Sequence, residues 1–277
     1  MRGVLRGLAV AAMVLALGGC TVTWQEPEPE FSPVPVPRVP VVGGCMYEWS
    51  DYSDHAAQPC DERHLAEIIE VRTGAGMPLD PKSRAQALAG CRAKADAHLR
   101  GTWWRQRVGV RLGLPGKEAR RAGASWYSCE LRELAQVSIS GSQPLYLPHS
   151  TRLSDSAAPE RRVIRCAQLD TDAETLLLVS LREVDCREPH NAELAGFIEG
   201  PLAMDYPSTK QLTGRYVRRK LSDQCRRDLA GFVSDPRLRY DFWPAQVAGA
   251  DDWELGDHGV RCFVWLGERT VTGSLHR

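Results

Sequence analysis

The chain has 277 residues, and its 35 basic and 35 acidic side chains give a formal net charge of zero. That balance gives no support for nucleic-acid binding or for strong attraction to anionic lipid. No phosphate loop, dinucleotide fingerprint, G-x-S-x-G or C-x-x-C is present, so nucleotide-dependent, serine-hydrolase, zinc-ribbon and thioredoxin-like chemistries lack their usual marks.

The first 19 residues read as a lipoprotein signal peptide: Arg2 and Arg6, an apolar run from Leu8 to Leu17, then Gly18-Gly19-Cys20. The run is roughly half of the ~20 residues a membrane span needs. Leu17-Gly-Gly-Cys20 resembles the bacterial lipobox, in which the cysteine becomes the diacylated first residue. Two acyl chains give stable anchoring where one does not. The expected location is the extracytoplasmic face of the cell membrane, anchored through Cys20. Residues 20–43 carry this anchor and a Pro-rich tether. Glu26-Pro-Glu-Pro-Glu30 and Pro33-Val-Pro-Val-Pro37 favour an extended polyproline II spacer.

Beyond Cys20 the cysteines divide into two sets of four: Cys45, Cys60, Cys91, Cys129, and Cys166, Cys186, Cys225, Cys262. An even number in an exported chain favours disulfides over catalytic thiols or metal ligands. Within each set three connectivities are open. Second-to-third and first-to-fourth is favoured: Cys60–Cys91 with Cys45–Cys129, and Cys186–Cys225 with Cys166–Cys262.

The two sets share local context. Cys60-Asp-Glu-Arg-His-Leu-Ala-Glu67 and Cys186-Arg-Glu-Pro-His-Asn-Ala-Glu193 both read C-x-E-x-H-x-A-E. The third cysteine of each set falls in a helix-like stretch, Ser83–Leu99 or Thr209–Phe232, with Pro207 and Ser208 as start signals for the second. The fourth falls in a strand-like stretch, Trp126–Leu131 or Val260–Trp265, six residues after Gly123 or Gly256. Thr175–Val184 reads as a further strand. Val137–Ser142 and Thr270–Ser274 look like matching ends of the two units. The expected fold is α+β: two tandem disulfide-stapled domains, each a small antiparallel sheet with one packed helix, at 44–143 and 161–277, joined by a Pro/Ser-rich linker at 144–160.

His64 with Glu62 and Glu67, and His190 with Glu188 and Glu193, are the candidate site residues. One reading is a metal or acid–base centre, with further ligands supplied from elsewhere in the chain. The structural reading is preferred, with ring and carboxylate satisfying backbone groups beside a disulfide. Recognition of a partner by His64, Glu67, His190 and Glu193 comes next. No catalytic residue, metal or cofactor is assigned. Trp103-Trp104, Trp243 and Trp253 are expected in the core.

Val184–Glu193, Tyr206-Pro207, Cys225, Trp253, Gly256-Asp257, Cys262 and Gly273-Ser274 together resemble the septum-formation domain family of actinobacterial cell-envelope proteins. The resemblance covers Cys166 to Leu275, with the first unit as a diverged copy that has Arg63 for Pro189 and Gly123-Ala124 for Gly256-Asp257. It implies an extracytoplasmic envelope protein linked to division or septum assembly, and no catalytic residues. The expected function is a membrane-anchored binding or scaffolding module whose partners are envelope or division proteins. The alternative is a cell-wall hydrolase or other envelope enzyme without a recognisable motif, including a Cys–His hydrolase should a thiol be free.

Overall fold

The computed structural model describes residues 39–47, 58–74, 76–137, 145–155, 162–172, 178–200, 215–247, 252–253 and 256–276. The signal peptide, Cys20, most of the tether, Ser138–Ser142, Tyr206-Pro207 and the Pro207-Ser208 start signal lie outside them. Among the described residues no helix is long and apolar enough to cross a membrane.

Two five-stranded antiparallel sheets carry the fold. The first comprises β1 (Cys45–Met46), β2 (Ala66–Thr73), β3 (Val108–Gly113), β4 (Trp126–Leu134) and β5 (Tyr146–Leu147), ordered β1-β2-β4-β3 with β5 also on β4. The second comprises β6 (Cys166–Thr171), β7 (Leu178–Val184), β8 (Ala192–Glu199), β9 (Asp241–Gln246) and β10 (Gly259–Trp265), ordered β7-β6-β8-β10-β9. Helix α1 (Pro81–Leu99) packs on the first sheet and α3 (Arg215–Asp228) on the second; a short α2 (Lys117–Arg121) precedes β4. The α+β class and the disulfide staples are therefore as expected.

The local causes are conventional. Asp80 caps α1, its carboxylate accepting from the Lys82 and Ser83 backbone N–H groups at 3.0 Å, and Pro81 follows at the first turn, where a missing N–H costs nothing. Leu88, Cys91, Arg92 and Ala95 form its buried stripe. On α3 the corresponding stripe is Val217, Leu221 and Cys225. Gly123 and Gly256, six residues before the strand cysteines, both sit at positive φ (95° and 100°), a conformation other residues rarely adopt.

The two sheets share one register. Cys45 pairs with Glu67 and Met46 with Ala66; Cys166 pairs with Glu193 and Ala167 with Ala192. Glu67 pairs with Leu131, two residues after Cys129, and Glu193 with Val264, two residues after Cys262.

That register overturns the favoured disulfide connectivity. The bonds are Cys45–Cys60, Cys91–Cys129, Cys166–Cys186 and Cys225–Cys262. Cys45 and Cys129 lie on β1 and β4 with β2 between them, as Cys166 and Cys262 lie on β6 and β10 with β8 between them. Two strand spacings, about 9.5 Å, exceed the ~7 Å Cα separation a disulfide tolerates. Cys60–Cys91 and Cys186–Cys225 are lost with them. Each helical cysteine instead reaches the strand beneath it, and each first cysteine closes the loop that brings its own motif histidine to the sheet.

Segment 144–160, expected as a linker, is structured where described. It contains β5, a backbone bridge from His149 to His64, and the buried Leu153. The counterpart of Thr270–Ser274 is therefore 148–152 rather than Val137–Ser142, most of which lies outside the described residues.

The sheets belong to one compact unit, Val34–Arg277, rather than to two separate bodies. Arg261 on β10 is 0% exposed and donates from Nε to the Trp104 carbonyl at 2.8 Å, and from Nη2 to the Gln106 and Val108 carbonyls at 3.0 and 2.9 Å. Arg92 on α1 reaches the other way: it pairs with Glu199, with Asp257 at 2.5 Å, and lies against the Trp103 and Phe197 rings. Trp103, Trp243 and Trp253 are buried as expected, and Trp104 is half-buried.

Candidate functional site

The two motif histidines are set identically. His64 exchanges backbone hydrogen bonds with His149, both at 2.8 Å, and His190 does so with Val271 at 3.0 and 2.8 Å. The ring Nδ1 of His64 lies 2.8 Å from the Glu62 carbonyl, and that of His190 lies 2.8 Å from the Glu188 carbonyl. A carbonyl only accepts, so each Nδ1 carries a proton and each Nε2 points inward. The first glutamate of the motif thus works through its backbone, not its carboxylate.

The second glutamate works through its side chain. Glu193 receives the Ser274 hydroxyl at 2.6 Å and the Leu275 N–H at 2.5 Å. Glu67 receives the Leu153 N–H at 2.5 Å, the position matching Leu275. It also faces His149 Nε2 through Oε1 and His98 Nε2 through Oε2, both at 3.3 Å. Burial would raise the Glu67 carboxyl above its usual range, but the contacts from His149, His98 and the Leu153 N–H outweigh it and bring the pKa down to about 2.

All four sequence candidates are buried: His64 and His190 completely, Glu67 to 1% and Glu193 to 6% exposure. They clasp the chain segments 149–153 and 271–275 against the sheets. Between those segments lies a groove of about 820 Å³. Its basic lining is Arg100, Arg105 and Arg165, all exposed. The almost completely buried Leu153, Ile164 and Leu194 and the half-buried Phe232 also line it, and Glu193, Ser274 and His276 lie at the second clasp. Backbone bonds from Arg107 N–H to the Arg162 carbonyl (2.8 Å) and from Ile164 N–H to the Arg105 carbonyl (2.7 Å) tie together the segments around it.

Residues 42–262 match the family model described as septum formation. The chain belongs to the septum formation family. The match begins just before β1 and ends in β10, so it runs through both sheets and not the second alone. No curated protein and no solved structure matches the chain. For a septum-formation protein the family supports a role in cell division or envelope biology.

All eight cysteines of the two sets are disulfide-bonded, so none of them supplies the free thiolate that a Cys–His hydrolase needs. Sequence reasoning missed His98, His149 and the groove arginines. His149 lay in a segment read as linker, and only its place opposite His64, matching Val271, shows what it does.

Proposed function

We propose that this septum-formation protein is a membrane-anchored extracytoplasmic lipoprotein, held through Cys20, that binds an acidic, partly apolar peptide segment of an envelope or division protein in the groove between its two sheets. The carrying observation is the groove itself, lined by the exposed Arg100, Arg105 and Arg165 and by Leu153, Ile164, Leu194 and Phe232. Guanidinium groups match carboxylates in charge and geometry, while the apolar surface provides the burial that gives affinity. Glu193 lines the groove, whereas His64, Glu67 and His190 act beneath it by fixing the clasped segments. The shared strand register supports reading 44–143 and 161–277 as two copies of one disulfide-stapled unit, fused through Arg92 and Arg261 into a single body.

Photo-crosslinking in living cells tests this. A photoreactive residue at Ser154, in the groove, is predicted to capture a protein through a segment rich in Asp and Glu. The same residue at Val179, exposed on β7, is predicted to capture none. Equal capture at both positions, or none at Ser154, refutes the groove.

A further inference from the structure

The two clasps differ in one chemical respect. Around Glu193 the partners are a hydroxyl and an N–H, both donors. Around Glu67 two imidazoles present their Nε2 atoms, while their Nδ1 atoms are held by backbone carbonyls. His64 holds its proton on Nδ1 against the Glu62 carbonyl, 2.8 Å away. His149 does the same against the Leu147 carbonyl at 3.3 Å. The Nε2 atoms of both rings then face Glu67 Oε1, at 3.6 and 3.3 Å, as lone pairs when the rings are neutral and as N–H donors when they are protonated. His64 Nε2 is completely buried and has no hydrogen-bond partner. A buried carboxylate facing two imidazole nitrogens calls for positive charge, which ring protons or a bound cation can each supply.

We propose that His64 Nε2, Glu67 Oε1 and His149 Nε2 form a binding site for a divalent transition-metal cation of the zinc type. The three ligand atoms lie within 4.8 Å of one another. Two ligands on a tetrahedral zinc, each ~2.0–2.1 Å from the metal, stand about 3.3–3.4 Å apart, close to the 3.3 and 3.6 Å observed here. Two imidazoles and one carboxylate are a familiar zinc ligand set, with the fourth position left for water or a ligand. The surroundings also fit: both histidines donate Nδ1–H to a backbone carbonyl, and His98 contacts the other carboxylate oxygen at 3.3 Å. His98, 26% exposed, and His149, 9% exposed, mark the way in from solvent.

The second clasp is the internal control. Cys166, His190 and Glu193 also converge, but Cys166 is bonded to Cys186 and offers no thiolate. Where the first clasp has His149, the second has Val271. His190 repeats the orientation of His64, so a locked ring alone is not the signal; the added imidazole is.

The test is titration of the mature, chelator-stripped protein with Co2+, read by the visible absorption of tetrahedral cobalt, followed by displacement with Zn2+. One cobalt per chain is expected, displaced by one zinc. His149→Val, which copies the residue at the second clasp, is expected to weaken binding by on the order of 100-fold or more, and His98→Ala by roughly 10-fold. Histidine 15N spectra of the unaltered protein give a reading that needs no variant: zinc is expected to move the Nε2 resonances of His64 and His149. Absence of tetrahedral cobalt, unchanged binding in folded His149→Val, or zinc shifts confined to other histidines would overturn the site. None of these results bears on the peptide groove, which is tested separately.

Discussion

Arg261 on the last strand donates to the Trp104 carbonyl at 2.8 Å, 157 residues away in sequence, and thereby joins the second sheet to the first. Burial lowers its pKa to about 10, still high enough for the guanidinium to stay charged at neutral pH. Three carbonyls accept from it, those of Trp104, Gln106 and Val108. Arg261→Met is predicted to destabilise the protein by about 3–5 kcal/mol, because it removes three charge-assisted hydrogen bonds from a buried position. Urea unfolding followed by tryptophan fluorescence checks this. The unaltered protein is expected to unfold in one transition. Two separate transitions would show that the sheets are independent bodies.

The disulfide map is equally exposed to test. Non-reducing peptide mapping should give Cys45–Cys60, Cys91–Cys129, Cys166–Cys186 and Cys225–Cys262. Replacing Cys91 and Cys129 together by alanine is predicted to cost up to about 4 kcal/mol, since the bond closes a loop of 38 residues. A peptide linking Cys45 to Cys129 would contradict the strand order.

Gly123 and Gly256 separate backbone strain from close approach. Both have positive φ, but a Cβ at Gly256 would stand 2.3 Å from the Pro81 carbonyl oxygen, whereas one at Gly123 would meet nothing within 4 Å. Gly123→Ala should cost on the order of 1 kcal/mol from conformation alone. Gly256→Ala should cost clearly more, because β10's approach and the start of α1 must move apart. Thermal unfolding of the two variants decides it, and equal losses would mean that the contact with Pro81 is slack.

These elements also show where sequence was readable. Helix α1 and strands β4 and β10 were legible because each follows from local pattern, the helical spacing of Ala, Leu and Arg or a strand-like run, and the two glycines stood out by their matching places six residues before the strand cysteines. The pairing of Cys45 with Cys60 was not, because it depends on β2 lying between β1 and β4, and strand order is a non-local property. Nothing near Arg92 and Arg261 in sequence reveals that they are buried against the opposite sheet. His149 was hidden for the same reason. Its meaning comes from sitting across from His64, 85 positions earlier, in a segment whose prolines and serines argue locally for a linker.

The anchor has a direct chemical readout. Intact-mass analysis of the protein extracted from membranes should find the mature chain beginning at Cys20 with a diacylglycerol adduct. A chain with unmodified Cys20, or one processed elsewhere, would remove the anchor while leaving the folded unit as described.

The central claim is that the groove recognises acidic peptide. Fluorescence anisotropy of labelled Asp/Glu- and Leu-containing peptides against the mature protein measures it most directly. Binding is predicted to weaken steeply as salt is raised, and to fall on the order of 100-fold when Arg105→Glu and Arg165→Glu are combined, since each reversal replaces an attraction by a repulsion. Binding that ignores salt and survives both reversals, or no preference for acidic over basic peptides, would contradict the account.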